Sequence, residues 1–236
     1  SIVLDKKKNI LYSAEPVMHF GNPIEVLKGV YEEIINKFDF DKIEAVAFTG
    51  SIGEFIAEKI GMPFFHDTIT IPIGVNKIAS DANYIFHICA KDSYFFEIEK
   101  VKIKNHYKSF VQDHGTGTKC GGGSGILITK QCKRYFEEGF LVKLNKSKKE
   151  NRKILQEQLK SIFKKAETEI SKANKEIDVG GRCGVVIQSD MIHLQNQGEQ
   201  IKNILRGMFR RIAKNYKSDV LKIRSLDKNK KAIATG

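Results

Sequence analysis

The stretch Asp113–Cys132, DHGTGTKCGGGSGILITKQC, joins a predicted strand to a predicted helix through a run of glycines. Glycines beside a helix start let backbone N–H groups approach an anion, because a side chain would block them and the helix terminus is electropositive. The stretch lacks the Gly-Lys-Ser/Thr ending of a Walker A motif. A flexible loop would have the same composition, so the glycines alone leave an anion site and a plain loop both open.

The cysteine in this stretch narrows the functions that the glycines leave open. Cys120 lies inside the glycine cluster, and Cys183 has a similar setting in DVGGRCGVVIQSD. A helix N-terminus stabilises a thiolate, which suits a metal ligand or a nucleophile, but neither cysteine has a histidine near it in the sequence. A [4Fe-4S] cluster takes about four thiolates, so two cysteines per chain, doubled by a two-fold axis, would complete one.

Composition limits the class of protein. The chain has 236 residues, 41% of them hydrophobic, and four widely spaced cysteines. No apolar run approaches the roughly 20 residues that span a bilayer, and the first residues, SIVLDKKKN, have no secretory pattern. We therefore expect a cytoplasmic protein without a membrane partner, whose cysteines are buried, reactive or metal-bound.

The net charge of +12 is concentrated in one segment. Residues 143–176 contain eleven basic and five acidic residues, half of the excess. Apolar residues recur there at helical spacing, which predicts a long amphipathic helix with lysines on its other face. That face is either solvated or meets an acidic partner. We expect no nucleic-acid partner, because zinc-finger spacing and aromatic residues interleaved with basic ones are both absent from the sequence.

The predicted elements alternate between strands and helices. A hairpin closed by Asp5–Asn9 precedes a helix with Asn22 at its N-cap, and an antiparallel meander follows in the middle of the chain. IEAVAFTGS (43–51) and VVIQ (185–188) also read as strands, helices are expected at about 125–137, 150–173, 189–196 and 199–215, and KAIATG is the last strand. This pattern is typical of α/β architecture.

Four stretches of the sequence match one known family: ILYSAEPVMHFGNPIEVLKGV, DANYIFHICAKDSYFFEIE, DHGTGTKCGGGSG and RCGVVIQSDMIHLQNQG. Through them the sequence resembles the BadF/BadG/BcrA/BcrD ATPase family, which contains activators of 2-hydroxyacyl-CoA dehydratases and subunits of benzoyl-CoA reductase. The resemblance extends over nearly the whole chain, and its two cysteine segments are the most specific part. It implies an α/β fold of the actin/hexokinase/Hsp70 ATPase type with two lobes, 1–83 and 84–236.

The resemblance assigns roles to particular residues. Cys120 and Cys183 match the family's cluster ligands, shared across a homodimer. Cys89 and Cys132 match no ligand position, and we expect both in the core. In the phosphate-binding turn, Asp92 is the candidate for positioning the attacking water or the magnesium shell; a plain turn aspartate is the alternative.

The remaining nucleotide contacts are expected from Lys91, Asp92 and the glycines Gly121, Gly122 and Gly123. Lys91 would reach a phosphate or simply face solvent. The turn departs from the family pattern, since His87 replaces its first Asp and Ala90–Lys91 replace Gly–Gln. His87 would alternatively be a satisfied core histidine.

The ends of the sequence also depart from the pattern. The family's first phosphate strand would precede Ser1, and its adenosine motif would begin where IATG stops. We therefore expect a chain truncated at both ends, whose nucleotide binding alone would be weak.

The implied function is that of an ATP-dependent iron-sulfur electron-transfer activator, with ATP/ADP, Mg²⁺ and a [4Fe-4S] cluster as cofactors. Its implied partners are a second copy of the chain, ferredoxin or flavodoxin as electron donor, and an iron-sulfur dehydratase or reductase that acts on a CoA ester. Two alternatives remain at this point: a sugar or acetate-type kinase of the same superfamily, which needs neither cysteine, and a non-catalytic basic binding module.

Overall fold

The computed structural model describes residues 1–90, 92–104, 106–117, 125–137 and 149–236. They form two compact units. The first unit contains the described residues within Ser1–Phe65 and Glu138–Ser161, and the second contains those within His66–Glu137 and Ile162–Gly236. The division into lobes at 83/84 stays a prediction.

The first unit begins with the predicted hairpin. Strands β1 (Ile2–Leu4) and β2 (Ile10–Ser13) pair antiparallel, and the backbone N–H of Asp5 donates to the Asn9 carbonyl at 3.0 Å. Helix α1 (Pro23–Lys37) follows with Asn22 at its N-cap, as predicted. A short 3-10 helix (Phe40–Lys42) and helix α2 (Ser51–Ile60) complete this part of the unit.

The prediction of a buried strand over residues 43–51 is wrong. Within it, Phe48 forms a single parallel bridge with Phe64, and Ala45 and Ala47 are exposed. A strand needs a partner along its length to satisfy its backbone N–H and C=O groups. In the described residues this segment has one bridging partner, so its apolar composition does not produce a strand.

The second unit is built on a four-stranded sheet in the order β5-β4-β3-β6. The predicted meander is confirmed: β3–β4 and β4–β5 pair antiparallel, and β6 pairs parallel with β3. The strands are β3 (Tyr84–Ile88), β4 (Ser93–Ile103), β5 (His106–Thr116) and β6 (Ala232–Thr235).

Five helices and one π turn accompany this sheet in the described residues. They are α3 (Asp67–Ile78), α4 (Gly125–Phe136), α5 (Lys149–Ser171, which begins in the first unit), α6 (Gly184–Asn196), α7 (Ile201–Tyr216) and the π turn Lys217–Leu221. Helix α5 buries one stripe at helical spacing, Leu155, Leu159, Ile162 and Ala166, and exposes lysines on its other side. The long basic amphipathic helix is therefore confirmed.

Two helices differ from the sequence predictions. Helix α3 was not predicted, because its β-branched residues and Pro72 have low helix propensity. Its Val75 joins a core cluster with Ile85 and Phe96 of the sheet, so packing outweighs propensity. The strand predicted at 185–188 is wrong, because VVIQ forms the first turn of α6. A short apolar run does not distinguish a strand from a buried helix by its pattern alone.

Helices α4, α6 and α7 share one buried core cluster. Leu127 contributes from α4, Ile187 and Met191 contribute from α6, and Ile204 and Met208 are among the α7 members. Cys132, on α4, packs instead with Ile162 and Ala166 of α5. The helices that follow the two predicted cysteine segments are therefore parts of one packed body, and the α/β class is confirmed.

Candidate functional site

The turn Cys89–Asp92 connects β3 to β4 and lies against the start of α4. The backbone N–H of Cys89 donates to the Asp92 carbonyl at 3.0 Å. The N–H groups of Gly125 and Ile126 donate to the carbonyls of Cys89 and Ala90, also at 3.0 Å. A Cβ at Gly125 would lie 3.3 Å from Ala90 Cα. The start of α4 is therefore fastened directly to the turn, and these two N–H groups bind the turn rather than an anion.

The described residues contain only part of the predicted nucleotide site. Asp92 is half-buried at the end of the turn. Lys91, Cys120 and Gly121–Gly123 lie outside the described residues, so their assigned roles stay predictions. Of the predicted phosphate-side residues, the structure describes Asp92, which lies directly before β4.

Asp92 and a second carboxylate, Asp67, act electrostatically on the same tyrosine hydroxyl. Burial raises the pKa of the Tyr94 hydroxyl, and the negative charges of Asp92 and Asp67 raise it further. Asp67 occupies the first position of α3, directly after His66, which caps that helix. Sequence analysis did not select Asp67, because the helix that carries it was not predicted.

His87 is a half-buried, hydrogen-bonded histidine on β3. Its Nδ1 lies 2.8 Å from Thr235 Oγ1 of the neighbouring strand β6, and its ring lies 6.0 Å from that of Tyr94. Burial lowers the pKa of His87, while the charge of Asp67 opposes that effect. These contacts agree with the alternative interpretation of His87, a histidine whose hydrogen bonds are satisfied within the fold.

Cys183 is the N-cap residue of α6. Its carbonyl accepts the N–H of Ile187 at 2.9 Å, and the residue is half-buried. The predicted position ahead of a helix is thus observed, with the helix starting earlier than expected. A thiol at the N-terminus of a 13-residue helix fits a thiolate ligand of a metal centre.

The other two described cysteines differ from each other. Cys132 is fully buried, and burial raises the pKa of its thiol to about 11, so the expected core position is confirmed. The core position expected for Cys89 is wrong. Strand β3 ends at Ile88, which leaves Cys89 exposed in the turn.

Among the described residues, no three His, Cys, Asp or Glu side chains form a group that could hold a metal ion. The predicted cluster takes two thiols from each chain, and Cys120 lies outside those residues. The assignment of a cluster to Cys120 and Cys183 therefore stays a prediction. Of these two predicted ligands, only Cys183 lies in the described residues. In the same part of the chain, no helix is both long and apolar enough to cross a bilayer.

Two solved structures of activator proteins have a similar fold. One is component A of (R)-2-hydroxyglutaryl-CoA dehydratase from Acidaminococcus fermentans: the TM-score is 0.65, the sequence identity 15%, and the match covers 100% of this chain and 77% of that one. The other is the activator of 2-hydroxyisocaproyl-CoA dehydratase from Clostridium difficile with bound ADPNP, with a TM-score of 0.64, 16% identity and coverage of 99% and 74%. No protein-family model and no curated protein matches the sequence. The expected fold of the dehydratase activators is thus confirmed, by structural similarity at low sequence identity.

Proposed function

We propose that the chain is an ATP-dependent iron-sulfur electron-transfer activator of a CoA-ester dehydratase or reductase. The observation that carries the proposal is the pair of hydrogen bonds from Gly125 and Ile126 to the Cys89–Asp92 turn. Through them, the helix that follows Cys120 is attached to the loop assigned to phosphate binding. A shift of this turn on hydrolysis would therefore move the start of α4 with it.

The nucleotide end of the site is assigned to the turn and the glycine cluster. Asp92 would orient the attacking water or a water of the magnesium shell. It is half-buried directly before β4, and its charge acts on the Tyr94 hydroxyl together with that of Asp67. Lys91 and Gly121–Gly123 contact the phosphates, as the sequence resemblance implies. The dehydratase activator of known structure with bound ADPNP supports nucleotide binding by a chain of this fold.

The cysteine end of the site is assigned to Cys120 and Cys183. The half-buried position of Cys183 at the start of α6 fits a thiolate ligand that is shielded on one side and open on the other. When bound, a [4Fe-4S] cluster would supply a low-potential one-electron carrier. Leu127 and Ile187, in the first turns of α4 and α6, belong to the same buried cluster, so the two helix starts are coupled through the core.

The partners follow from the number of ligands. Two thiols per chain require a second copy of this chain to complete four, so a homodimer is part of the proposal. Ferredoxin or flavodoxin would supply the electron, and an iron-sulfur dehydratase or reductase would receive it.

Anaerobic purification followed by iron and sulfide analysis tests the proposal. We expect about four iron and four sulfide per dimer, a brown protein and ATP hydrolysis. A colourless protein that transfers phosphate to a sugar or to acetate would favour the kinase alternative. A colourless monomer without ATP hydrolysis would contradict the proposal and favour a binding module.

A further inference from the structure

Residues 174–183, here called the strap, lead to Cys183 and run along one face of α7. The face is formed by residues spaced four apart: Asn203, Gly207, Arg211 and Asn215. All four residues lie against the strap. Residues further along the helix contact residues further along the strap.

The start of the strap is held by a buried amide. Asn203, 2% exposed, accepts the backbone N–H groups of Asn174 and Lys175 at 3.2 Å each through its Oδ1. Its Nδ2 donates to Glu199 at 2.9 Å. Asn203 thus fixes the beginning of the strap, nine residues before Cys183.

The middle of the strap lies against the helix backbone. A Cβ at Gly207 would lie 2.7 Å from the Ile177 carbonyl oxygen, so a glycine is needed for this approach. Arg211 donates to the carbonyl of Val179 and to the Asp178 carboxylate. These contacts fix the path of the strap but do not touch the residues next to Cys183.

The end of the strap is held by a second buried amide. Asn215, 4% exposed, donates its Nδ2 to the Arg182 carbonyl at 3.3 Å and to the Gly181 carbonyl at 3.5 Å. Asp190 of α6 accepts the Gly180 N–H at 2.7 Å on another side. The Arg182 carbonyl belongs to the peptide unit that contains the Cys183 nitrogen. Its orientation therefore sets the direction in which the Cys183 side chain leaves the backbone.

We infer that Asn215 is a positioning residue for the Cys183 thiol. The inference rests on the proposed function, in which Cys183 is a cluster ligand. Asn215 does not touch the metal; it holds the peptide that aims the ligand. Groups that orient a metal ligand typically change metal affinity by about 10–100-fold when they are removed.

Asn203 provides a matched control, because it is a buried amide on the same helix that binds the same strap far from Cys183. The variants are Asn215→Ala, Asn215→Asp and Asn203→Ala. In the anaerobic holoprotein, we measure the rate of iron loss to a ferrous chelator. In the cluster-free full chain, we measure the alkylation rate of Cys183 with N-ethylmaleimide by peptide mass spectrometry.

Both Asn215 variants should lose iron at least about tenfold faster than wild type, with an altered alkylation rate at Cys183. Asn203→Ala should match wild type in both rates, even where it lowers the melting temperature. Equal rates in the Asn215 variants and Asn203→Ala overturn the inference and leave the proposed function standing. A wild-type protein without iron contradicts the proposed function instead. In that case the alkylation rate of Cys183 still tests the positioning role. An unchanged alkylation rate in the Asn215 variants overturns that role. Should Asn215→Ala not fold, Asn215→Asp, of the same size, decides the matter.

Discussion

Two short loops end at a residue of the proposed site: the turn Cys89–Asp92 and the strap 174–183. Different kinds of contact hold them in place. The turn is fixed by main-chain hydrogen bonds, within itself and to the start of α4. The strap is fixed by side chains of α7, including two buried asparagines and an arginine. A backbone-built loop tolerates changes of side chain, whereas a loop held by side chains depends on each of them.

This difference predicts that the turn keeps its shape when the side chains of Cys89 and Ala90 are changed. The side chains of Cys89 and Ala90 are exposed and take no part in the bonds that define the turn. Gly207 and Asn215 of α7 have no such freedom, because both lie against the strap backbone.

The largest effect is expected where the strap ends. Cys183→Ser should abolish the cluster absorbance and weaken dimerisation, because serine does not replace a thiolate ligand of iron; Cys120→Ser should do the same. Cys132→Ser, on the buried side of α4, should keep the absorbance and lose only stability, since it buries a hydroxyl. Absorption spectra and sedimentation of the anaerobic proteins measure both. An unchanged spectrum in Cys183→Ser would rule out its ligand role.

The next effect is expected in the turn. If Asp92 positions the attacking water or the magnesium shell, Asp92→Ala should lower ATP turnover by about 100-fold without unfolding the sheet. Glu99→Ala is the control, because Glu99 is an exposed carboxylate on the same strand β4. Steady-state hydrolysis measures the difference. Unchanged turnover in Asp92→Ala would leave Asp92 as a plain turn residue.

The close packing of the strap against α7 is tested by replacing Gly207 with alanine, with the same replacement at Gly29 as the control. Gly207→Ala should destabilise the protein by about 1–3 kcal/mol, because its Cβ would lie 2.7 Å from the Ile177 oxygen. Gly29→Ala, in α1, meets no atom within 4 Å and should stabilise by about 0.5–1 kcal/mol. Urea unfolding gives both values. An unchanged or increased stability of Gly207→Ala would show that the strap does not need this close approach.

The smallest effect concerns pH near the turn. Burial lowers the pKa of His87 below its ordinary value of 6.5, so the unfolded chain binds more protons in the interval between the two values. Stability should therefore fall as the pH drops below about 6.5. His87→Gln should flatten this dependence, whereas His193→Gln, at an exposed position on α6, should not. Thermal melts between pH 5 and pH 8 test this, and an equal slope in wild type and His87→Gln would contradict it.

The helices and strands with strong local signals were predicted from the sequence. The hairpin at Asp5–Asn9, the N-cap at Asn22, the antiparallel meander and the basic helix α5 were all predicted with nearly their observed bounds. The two strands predicted at 43–51 and 185–188 were wrong for different reasons. In the described residues the first segment has one bridging partner, and the second forms the first turn of α6, which an apolar run alone does not distinguish from a strand. Helix α3 was missed because its β-branched residues disfavour a helix until Val75 packs on the sheet.

For the candidate site, the sequence by itself determined the residue types: glycine-flanked cysteines, an acidic turn and their order along the chain. It also determined the resemblance whose fold the structural comparisons confirm. Only the tertiary structure decided that Cys89 is exposed while Cys132 is buried, that the charges of Asp67 and Asp92 act on one tyrosine hydroxyl, and that Asn215 binds the peptide before Cys183. The physical reason is distance along the chain. Local hydrogen bonds and side-chain periodicity act over a few residues, whereas Asn215 and Arg182 are brought together by the packing of α6 and α7 around a shared core.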